Sequence, residues 1–234
     1  MATQSIDDFV TSLRQDTEST GTFAQETPEV LGVNLDGRAW ARVGAMVAYT
    51  GDVTFKREGV FEGGLTNFFK KQFTGEGTPL MKMTGTGQVY LADRRKKISA
   101  FRLSDDQVTV NGRDLLAFED GIDWDIEAMK SAGSLIADGL FNVTLSGTGS
   151  VVITSHGKPV TLRVEPGMPV YTDPQAAVAW DGALAPSIET DVSAKALFGR
   201  GSGESIQFDF EGDGWVLVQP FEEAPSQQDA QQSQ

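Results

Sequence analysis

Thr84-Gly85-Thr86-Gly87-Gln88-Val89-Tyr90-Leu91 is a stretch in which two glycines lead into a run of β-branched and aromatic residues. The same pattern returns twice, as Ser146-Gly147-Thr148-Gly149-Ser150-Val151-Val152-Ile153 and as Glu211-Gly212-Asp213-Gly214-Trp215-Val216-Leu217-Val218. The first glycines stand at positions 85, 147 and 212, so the copies are 62 and 65 residues apart. Short apolar runs bounded by glycine are typical of β-strands. The motif therefore predicts three related β-units.

A second motif supports the same repeat. It consists of an aliphatic residue, an alanine and an aromatic residue, and it occurs as Val47-Ala48-Tyr49, Leu116-Ala117-Phe118 and Val178-Ala179-Trp180. A turn that carries Gly and Asp follows each copy. Two motifs that recur three times in similar register indicate an internal repeat. Period-two alternation predicts that the alanine faces one side of the sheet and its neighbours the other.

The repeat has a direct physical interpretation. A unit of roughly 60 residues exposes an apolar sheet face that it cannot cover alone. Three units around a pseudo-threefold axis can bury these faces together, and the paired glycines allow bulges or a close approach of two backbones. The predicted fold is all-β, with three pseudo-symmetric units in a sandwich or prism arrangement and one or two short helices. The dipeptides Asn111-Gly112 and Asp181-Gly182 predict turns with positive φ.

The two ends of the chain differ from the repeats. Between Ser5 and Asp16, four apolar residues at positions 6, 9, 10 and 13 form one helical stripe, and Ser5 with Asp8 has the spacing of a capping box. Residues 222–234 are rich in Gln, Ser and Asp, which predicts a disordered tail. We expect a helix and linker over 1–21, a β domain over 22–221 and the tail over 222–234.

Composition excludes several classes of function. The 234 residues include no cysteine, which excludes disulfides, thiolate zinc sites and cysteine nucleophiles. The net charge of −14 argues against a nucleic-acid partner, whose phosphates require basic residues. The N-terminus lacks the pattern of a signal peptide, and no apolar run is long enough to span a membrane. We expect a cytoplasmic protein.

Several further stretches carry a resemblance to a known family: Gly44-Ala45-Met46-Val47-Ala48-Tyr49, Glu62-Gly63-Gly64-Leu65, Leu115-Leu116-Ala117-Phe118, Gly139-Leu140-Phe141-Asn142, Val170-Tyr171-Thr172-Asp173-Pro174, Gly203-Glu204-Ser205-Ile206-Gln207, and Gly212-Asp213-Gly214 with Val218-Gln219-Pro220. Together they resemble the altered inheritance of mitochondria family (AIM24 type), whose domain is similar to the tryptophan RNA-binding attenuation protein and is called TRAP-like. The resemblance covers roughly Phe23 to Pro220, and the chain is identified as a bacterial member. It implies three pseudo-repeated β-units, no established enzymatic activity and no known catalytic residues. The mitochondrial members are linked to inner-membrane organisation.

The candidates for chemistry have simpler structural interpretations. His156 is the one histidine and lies in a sequence typical of a hairpin turn; a hydrolase would need a third group to orient its imidazole towards a serine. The acids within 120–127 alternate with apolar residues, which indicates a strand rather than a calcium loop. The glycines within 199–204 lack the Gly-Lys-Ser/Thr of a phosphate loop. We therefore predict no catalytic, cofactor or metal site and no enzyme.

One part of the chain is basic despite the acidic total. Residues 36–102 contain twelve Lys or Arg and six Asp or Glu. Within 63–73 the apolar residues share a helical face beside two lysines, which fits either a helix packed on the core or a surface that docks on an anionic membrane or a partner. The candidate contact residues are Leu65, Phe68, Phe69, Lys70, Lys71, Arg94, Arg95, Lys96 and Lys97.

These observations favour a non-catalytic scaffold or interaction protein that forms a homo-oligomer or binds a protein partner and makes peripheral contact with anionic membranes. We expect no cofactor. A small-molecule-binding module with its ligand between the repeats is the alternative, and a hydrolase that uses His156 is a weaker one. Four tryptophans are candidates to line a ligand site, although they are more simply core residues: Trp40, Trp124, Trp180 and Trp215.

Overall fold

The computed structural model describes residues 5–14, 21–57, 80–128, 141–190 and 206–220. These residues form one short helix and fourteen strands, so the all-β prediction is confirmed. The elements are α1 Ile6–Ser12, β1 Phe23–Thr27, β2 Val30–Arg42, β3 Met46–Arg57, β4 Leu80–Ala92, β5 Lys97–Asn111, β6 Leu115–Glu119, β7 Ile122–Ala128, β8 Phe141–Ser155, β9 Val160–Val164, β10 Val170–Thr172, β11 Ala177–Asp181, β12 Ser187–Thr190, β13 Ile206–Phe210 and β14 Gly214–Val218.

The strands form two antiparallel sheets. The larger sheet has eleven strands in the order β3-β4-β2-β6-β8-β5-β11-β14-β9, with β1 paired to β2 and β7 paired to β8. The smaller sheet has the order β10-β13-β12. In chain order we refer to β1–β4 as the first unit, β5–β8 as the second and β9–β14 as the third. The edge strands of the larger sheet, β3 and β9, therefore belong to the first and third units.

The two sequence motifs meet in the same way in every unit. The strand with the alanine motif pairs with the strand that follows Gly-x-Gly, through Tyr49↔Val89, Phe118↔Val151 and Trp180↔Val216. A bulge precedes the alanine in all three pairs. The first glycine has φ of 129° at position 85, 107° at 147 and 125° at 212. Local register is thus repeated three times, while the common pseudo-threefold axis stays a prediction.

Successive units are joined by backbone pairing. The end of β2 pairs with β6 through Ala41↔Ala117, and the end of β5 pairs with β11 through Val110↔Ala179. The bulge turns Leu116 and Ala117 together into the core of the first unit, whereas Phe118 lies in that of the second. The prediction of simple alternation across the alanine motif was wrong, because the bulge adds one residue to the strand.

Three clusters of buried side chains form the core. One belongs mainly to each unit, but the cluster of the second unit also contains Trp40 from the first and Val178 and Ala179 from the third. The rings of Trp40 and Phe118 stack across the first junction with centroids 6.0 Å apart. Neighbouring units therefore share apolar contacts as well as backbone hydrogen bonds.

Two predicted turns have a different geometry from the one expected. Gly112 and Gly182 lie in turns, but neither has positive φ. A Cβ atom on Gly112 would lie 1.9 Å from a ring carbon of Phe141, and one on Gly182 would lie 2.5 Å from Cγ of Gln107. The prediction of positive φ was wrong at both positions. Glycine is required there because a side chain would clash with a neighbouring residue, and not because of the backbone conformation.

The N-terminal helix begins as predicted. Ser5 is its N-cap, and its Oγ accepts a hydrogen bond from the Asp8 N–H and donates one to the Asp8 carboxylate. The apolar stripe is exposed, however, with Phe9 54% and Leu13 68% accessible. In the described part of the chain, no helix is long and apolar enough to cross a membrane.

The acidic stretch after residue 120 is a strand, as predicted. It forms β7, in which Ile122 and Ile126 are buried while Asp123 and Asp125 are exposed. The alternation therefore orients apolar side chains inward and carboxylates to solvent.

Candidate interaction surface

The run Asp93–Lys97 forms a tight turn between β4 and β5, which we call the basic turn. These two strands do not pair with each other. The Lys96 N–H donates to the Asp93 carbonyl at 2.7 Å, and Arg94 and Arg95 have φ of 42° and 67°, both positive as in type I′ turns. Glycine and asparagine are the usual residues in such turns, because a side chain strains the left-handed conformation. Two exposed arginines are thus held in an unfavourable backbone geometry.

A buried ion cluster holds the basic turn in place. Lys96 is only 2% exposed, and its Nζ lies 2.9 Å from Oδ1 of Asp114 and 3.6 Å from Oδ2 of Asp93. The guanidinium of Arg42 and the hydroxyl of Thr154 also contact the Asp93 carboxylate. Lys96 was predicted to contact a membrane or partner, but its ammonium group is buried against these acids and is not exposed for such a contact.

The cluster shifts the ionisation of Asp93. Burial disfavours the charged carboxylate, but the charges of Arg42 and Lys96 and the hydrogen bonds from Arg42 and Thr154 outweigh it and lower the pKa of Asp93 below its usual value. Asp93 is therefore ionised at neutral pH and balances the cations around it. The cluster keeps the ends of β4 and β5 together although these strands make no ladder.

The first copy of the alanine motif, Val47-Ala48-Tyr49, lies on the outer edge of the larger sheet, and we call it the edge triplet. Val47 is 59% and Tyr49 48% exposed. Their counterparts are buried, with 0% exposure at Leu116 and Val178. The difference arises because a strand of the preceding unit covers β6 and β11, whereas no strand among the described residues lies on the outer side of β3.

The edge triplet and the basic turn are neighbours. Met46 at the start of β3 pairs with Leu91 near the end of β4, three residues before Arg94. The side chains of Arg94, Arg95 and Lys97 are exposed. An uncharged stretch of the β3 edge therefore lies beside three exposed basic residues at one end of the first unit.

The rest of the basic region does not join this surface. Lys56 and Lys82, which were not among the predicted contact residues, pair at the opposite end of β3 and β4, roughly 35 Å from the basic turn along a strand of this length. The basic region of the sequence is thus divided between two places. The remaining predicted residues lie outside the described residues: Leu65, Phe68, Phe69, Lys70 and Lys71.

The Ser155 hydroxyl and the backbone of His156 form hydrogen bonds within the chain. The Ser155 hydroxyl donates to the Gly157 carbonyl at 3.1 Å, and the His156 backbone N–H donates to Oε1 of Gln219 at 2.9 Å. The connection is not a hairpin as predicted, because β8 and β9 pair with other strands. The described residues contain no group of three or more His, Cys, Asp or Glu side chains that could hold a metal ion.

A polar cleft of about 430 Å³ opens at the junction of the first and second units. Arg38 pairs with Asp120 across it, and the Trp40 indole N–H donates to Asp120 at 3.3 Å. The tryptophans themselves pack on the core clusters instead of lining this cleft. The lining residues are Gly21, Thr22, Asn34, Leu35, Asp36, Arg38, Glu119 and Asp120.

Comparison with known proteins agrees with this architecture. Residues 22–221 match the family model described as Mitochondrial biogenesis AIM24. The fold is similar to that of a Streptococcus pyogenes protein of known crystal structure, with a TM-score of 0.67 and 22% sequence identity over 90% of this chain and 96% of that one. No curated protein matches the chain.

Proposed function

The chain belongs to the AIM24 family of mitochondrial biogenesis proteins, and we propose that it is a non-catalytic scaffold protein of the cytoplasm that self-associates and makes peripheral contact with anionic membranes. The observation that carries this proposal is the exposed edge triplet beside the basic turn. Both features present binding groups to solvent, and neither has the arrangement of a catalytic site.

Self-association is supported by the chemistry of the strand edge. An edge strand exposes backbone N–H and C=O groups that can pair with another strand, and proteins usually protect such edges with charges or proline. The edge triplet carries neither, and two of its three side chains are largely apolar and about half exposed. A further strand on β3 would pair these backbone groups and cover Val47.

Membrane contact is supported by the basic turn. Each basic residue close to an anionic surface contributes about 1 kcal/mol, so Arg94, Arg95 and Lys97 together give about 3 kcal/mol, or roughly a hundredfold in partitioning. The net charge of −14 opposes this attraction elsewhere on the protein. The contact is therefore expected to be reversible, oriented by the turn and weakened by salt.

Co-sedimentation with phosphatidylserine vesicles at low salt tests the membrane contact. We expect wild type to pellet, and the Arg94→Glu/Arg95→Glu variant to lose at least about tenfold in partitioning, because two attractions become repulsions. Lys56→Glu/Arg57→Glu is the matched control, since it makes the same change in charge at the far end of the hairpin. A Lys70→Glu/Lys71→Glu variant tests the predicted segment outside the described residues.

Two results would contradict membrane contact through the basic turn. One is wild-type protein that remains in the supernatant with anionic vesicles at low salt. The other is an equal loss of binding in the Arg94→Glu/Arg95→Glu variant and its control, which would mean that total charge and not the turn determines binding.

The cleft at the first junction favours a second candidate function, a small-molecule-binding module. Its position between two units and its Arg38–Asp120 pair suit a small polar ligand. A thermal-shift screen with amino acids and nucleotides tests it. A ligand that raises the melting temperature of wild type but not of Arg38→Ala supports this function, and a flat screen counts against it.

A further inference from the structure

We propose that the partner of the edge triplet is a second copy of this chain, whose strand β10 pairs antiparallel with β3 and joins the two molecules head to tail. This interface rests on the self-association in the proposed function and specifies its surface and register. It extends between molecules the junction that already links the three units within one molecule.

The internal junctions follow one rule. A strand ends in a four-residue turn, which is closed by hydrogen bonds from the Ala45 N–H to the Arg42 carbonyl and from the Asp114 N–H to the Asn111 carbonyl, at 3.2 and 2.8 Å. The residue just before that turn pairs with the alanine of the next unit, as in Ala41↔Ala117 and Val110↔Ala179. The residue one position earlier in the strand pairs with the aromatic residue of the alanine motif, as in Trp40↔Phe118 and Thr109↔Trp180. The same register therefore occurs at both junctions.

The third unit contains the same strand and turn. The Ala176 N–H donates to the Asp173 carbonyl at 3.1 Å, which makes Thr172 the counterpart of Ala41 and Val110. Each of these three residues also pairs with a strand of its own unit on the other side: Ala41 with Met81, Val110 with Val143 and Thr172 with Phe208. On the outer side of β10 no strand is present among the described residues. The third unit thus offers a junction strand, and the first unit offers the alanine motif that fits it.

The rule gives the register between molecules. Thr172 would pair with Ala48, Tyr171 with Tyr49 and Val170 with Thr50 of the next copy. Tyr171 and Tyr49 are 52% and 48% exposed, and they occupy the positions at which Trp40 and Phe118 stack in the first junction. Cross-strand aromatic pairs of this kind stabilise antiparallel sheets.

The side chains of the edge triplet suit the core that they would enter. Leu116 and Ala117 extend into the cluster of the preceding unit, as do Val178 and Ala179. By the same geometry, Val47 and Ala48 would enter the cluster of the third unit in the neighbouring copy, where Val170 is only partly buried. An apolar pair would thus meet an apolar cluster.

The contact uses two different surfaces of the molecule. Within one chain β3 pairs with β4, and β10 lies in the separate three-stranded sheet. A head-to-tail contact leaves one β3 and one β10 available at the ends of every chain of copies. Such heterologous contacts generate closed rings or filaments.

Cysteine cross-linking tests the register, because the chain has no cysteine of its own. Directly opposed residues of antiparallel strands have Cβ atoms about 4.5–5.5 Å apart, close to the distance in a disulfide. We expect a mixture of Tyr49→Cys and Tyr171→Cys full-length proteins to form an oxidised species of twice the 25.2 kDa chain mass. Tyr171→Cys mixed with Thr54→Cys, on the same strand but outside the register, is the control and should remain monomeric on a non-reducing gel.

Light scattering across a range of concentrations tests the association itself. Wild type should exceed the mass of one chain, increasingly so at higher concentration; Val47→Lys should remain at one chain mass, and Thr54→Lys should behave as wild type. Circular dichroism checks that each variant is folded, and the cysteine pair tests the interface without a charge in it.

Three outcomes would overturn the interface. Cross-linking of Tyr49→Cys with itself would indicate a symmetric contact instead of head-to-tail pairing. Association that persists in Val47→Lys, without the mixed cross-link, would mean that copies meet elsewhere; the proposed scaffold function would survive. Wild type that is monomeric at every concentration but still binds vesicles would refute self-association and leave membrane contact intact.

Discussion

The buried carboxylate of Asp93 balances the positive charges in the ion cluster at the basic turn. Asp93 is 3% exposed and lies among Arg42, Lys96 and Thr154. Removing one partner of a buried ion pair leaves the other charge without compensation, which costs more than the pair contributes when intact. The stability of the junction between β4 and β5 therefore depends on the charge of Asp93.

We expect Asp93→Asn to lower the free energy of unfolding by about 3 kcal/mol at neutral pH, because Lys96 remains buried with less negative charge nearby. The measurement is urea denaturation. Asp213→Asn, which removes the same charge from an ion pair that is mostly exposed, is the control and should change stability little. Equal losses in the two variants would contradict the role of burial.

The same substitution should change the pH dependence of stability. The pKa of Asp93 is lower in the folded chain than its ordinary value of about 4. Ionised Asp93 therefore stabilises the fold above about pH 4, and this contribution disappears as the pH falls through the lower folded pKa. The difference in stability between wild type and Asp93→Asn should thus diminish in acid. A difference that stays constant down to the lowest pH at which both fold would be inconsistent with this linkage.

At the scale of the element, the basic turn combines strain with charge. Arg94 and Arg95 adopt positive φ at a place where Asn-Gly would be unstrained. Strained residues persist where the surrounding structure fixes them, and they are often associated with function. The ion cluster supplies that fixation, which leaves two guanidinium groups exposed at the end of the sheet.

We predict that Arg94→Asn/Arg95→Gly raises the free energy of unfolding by about 1 kcal/mol or more, because it relieves two left-handed residues. The same variant should bind anionic vesicles more weakly than wild type, since two cations are lost. Chemical denaturation and co-sedimentation measure the two effects. Arg94→Lys/Arg95→Lys keeps both strain and charge, so neither quantity should change much. A loss of stability in the Asn-Gly variant would show that the arginine side chains stabilise the turn.

At the scale of the whole molecule, the three units are linked into one core. The cluster of the second unit contains residues from its neighbours on both sides, and both junctions add backbone pairs. Repeat proteins with weak interfaces unfold in steps, whereas strong coupling makes unfolding cooperative. The shared clusters favour cooperative unfolding here.

We therefore expect a single thermal transition in calorimetry, with tryptophan fluorescence and far-UV circular dichroism changing together. Phe118→Ala, at the first junction, should destabilise the protein by about 3–5 kcal/mol and shift the whole transition to lower temperature. Two separate transitions in wild type would contradict coupling between the units. A shift in only one of the two probes for Phe118→Ala would have the same meaning.

Much of the fold could be predicted from the sequence because its signals are local. The Gly-x-Gly motif, the alanine motif and the alternation in β7 each depend on residues close in the chain. Each of these three signals correctly indicated a strand. Positive φ at the turn glycines and strict alternation across the alanine motif were not predicted correctly. Both depend on contacts with distant strands, such as the Phe141 ring beside Gly112.

The exposure of the candidate contact residues was predicted only in part. Arg94, Arg95 and Lys97 are exposed, but Lys96 in the same run is buried, because Asp114 approaches it from another strand. The exposure of Val47 and Tyr49 was missed. One signal for it was available: the edge triplet is the first copy of its motif, so no earlier unit exists in the described repeats to cover it.

The sequence by itself determined the all-β class, the strands that carry the two motifs and the glycines that let their backbones meet, since these follow from short-range sterics and period-two patterning. Only the tertiary structure decided which copy of a repeated motif is buried and which charge of a basic run is paired. Burial is a property of the neighbours that a residue meets across the sheet. Equal motifs therefore have different exposure when one lies in the middle of the sheet and the other at its edge.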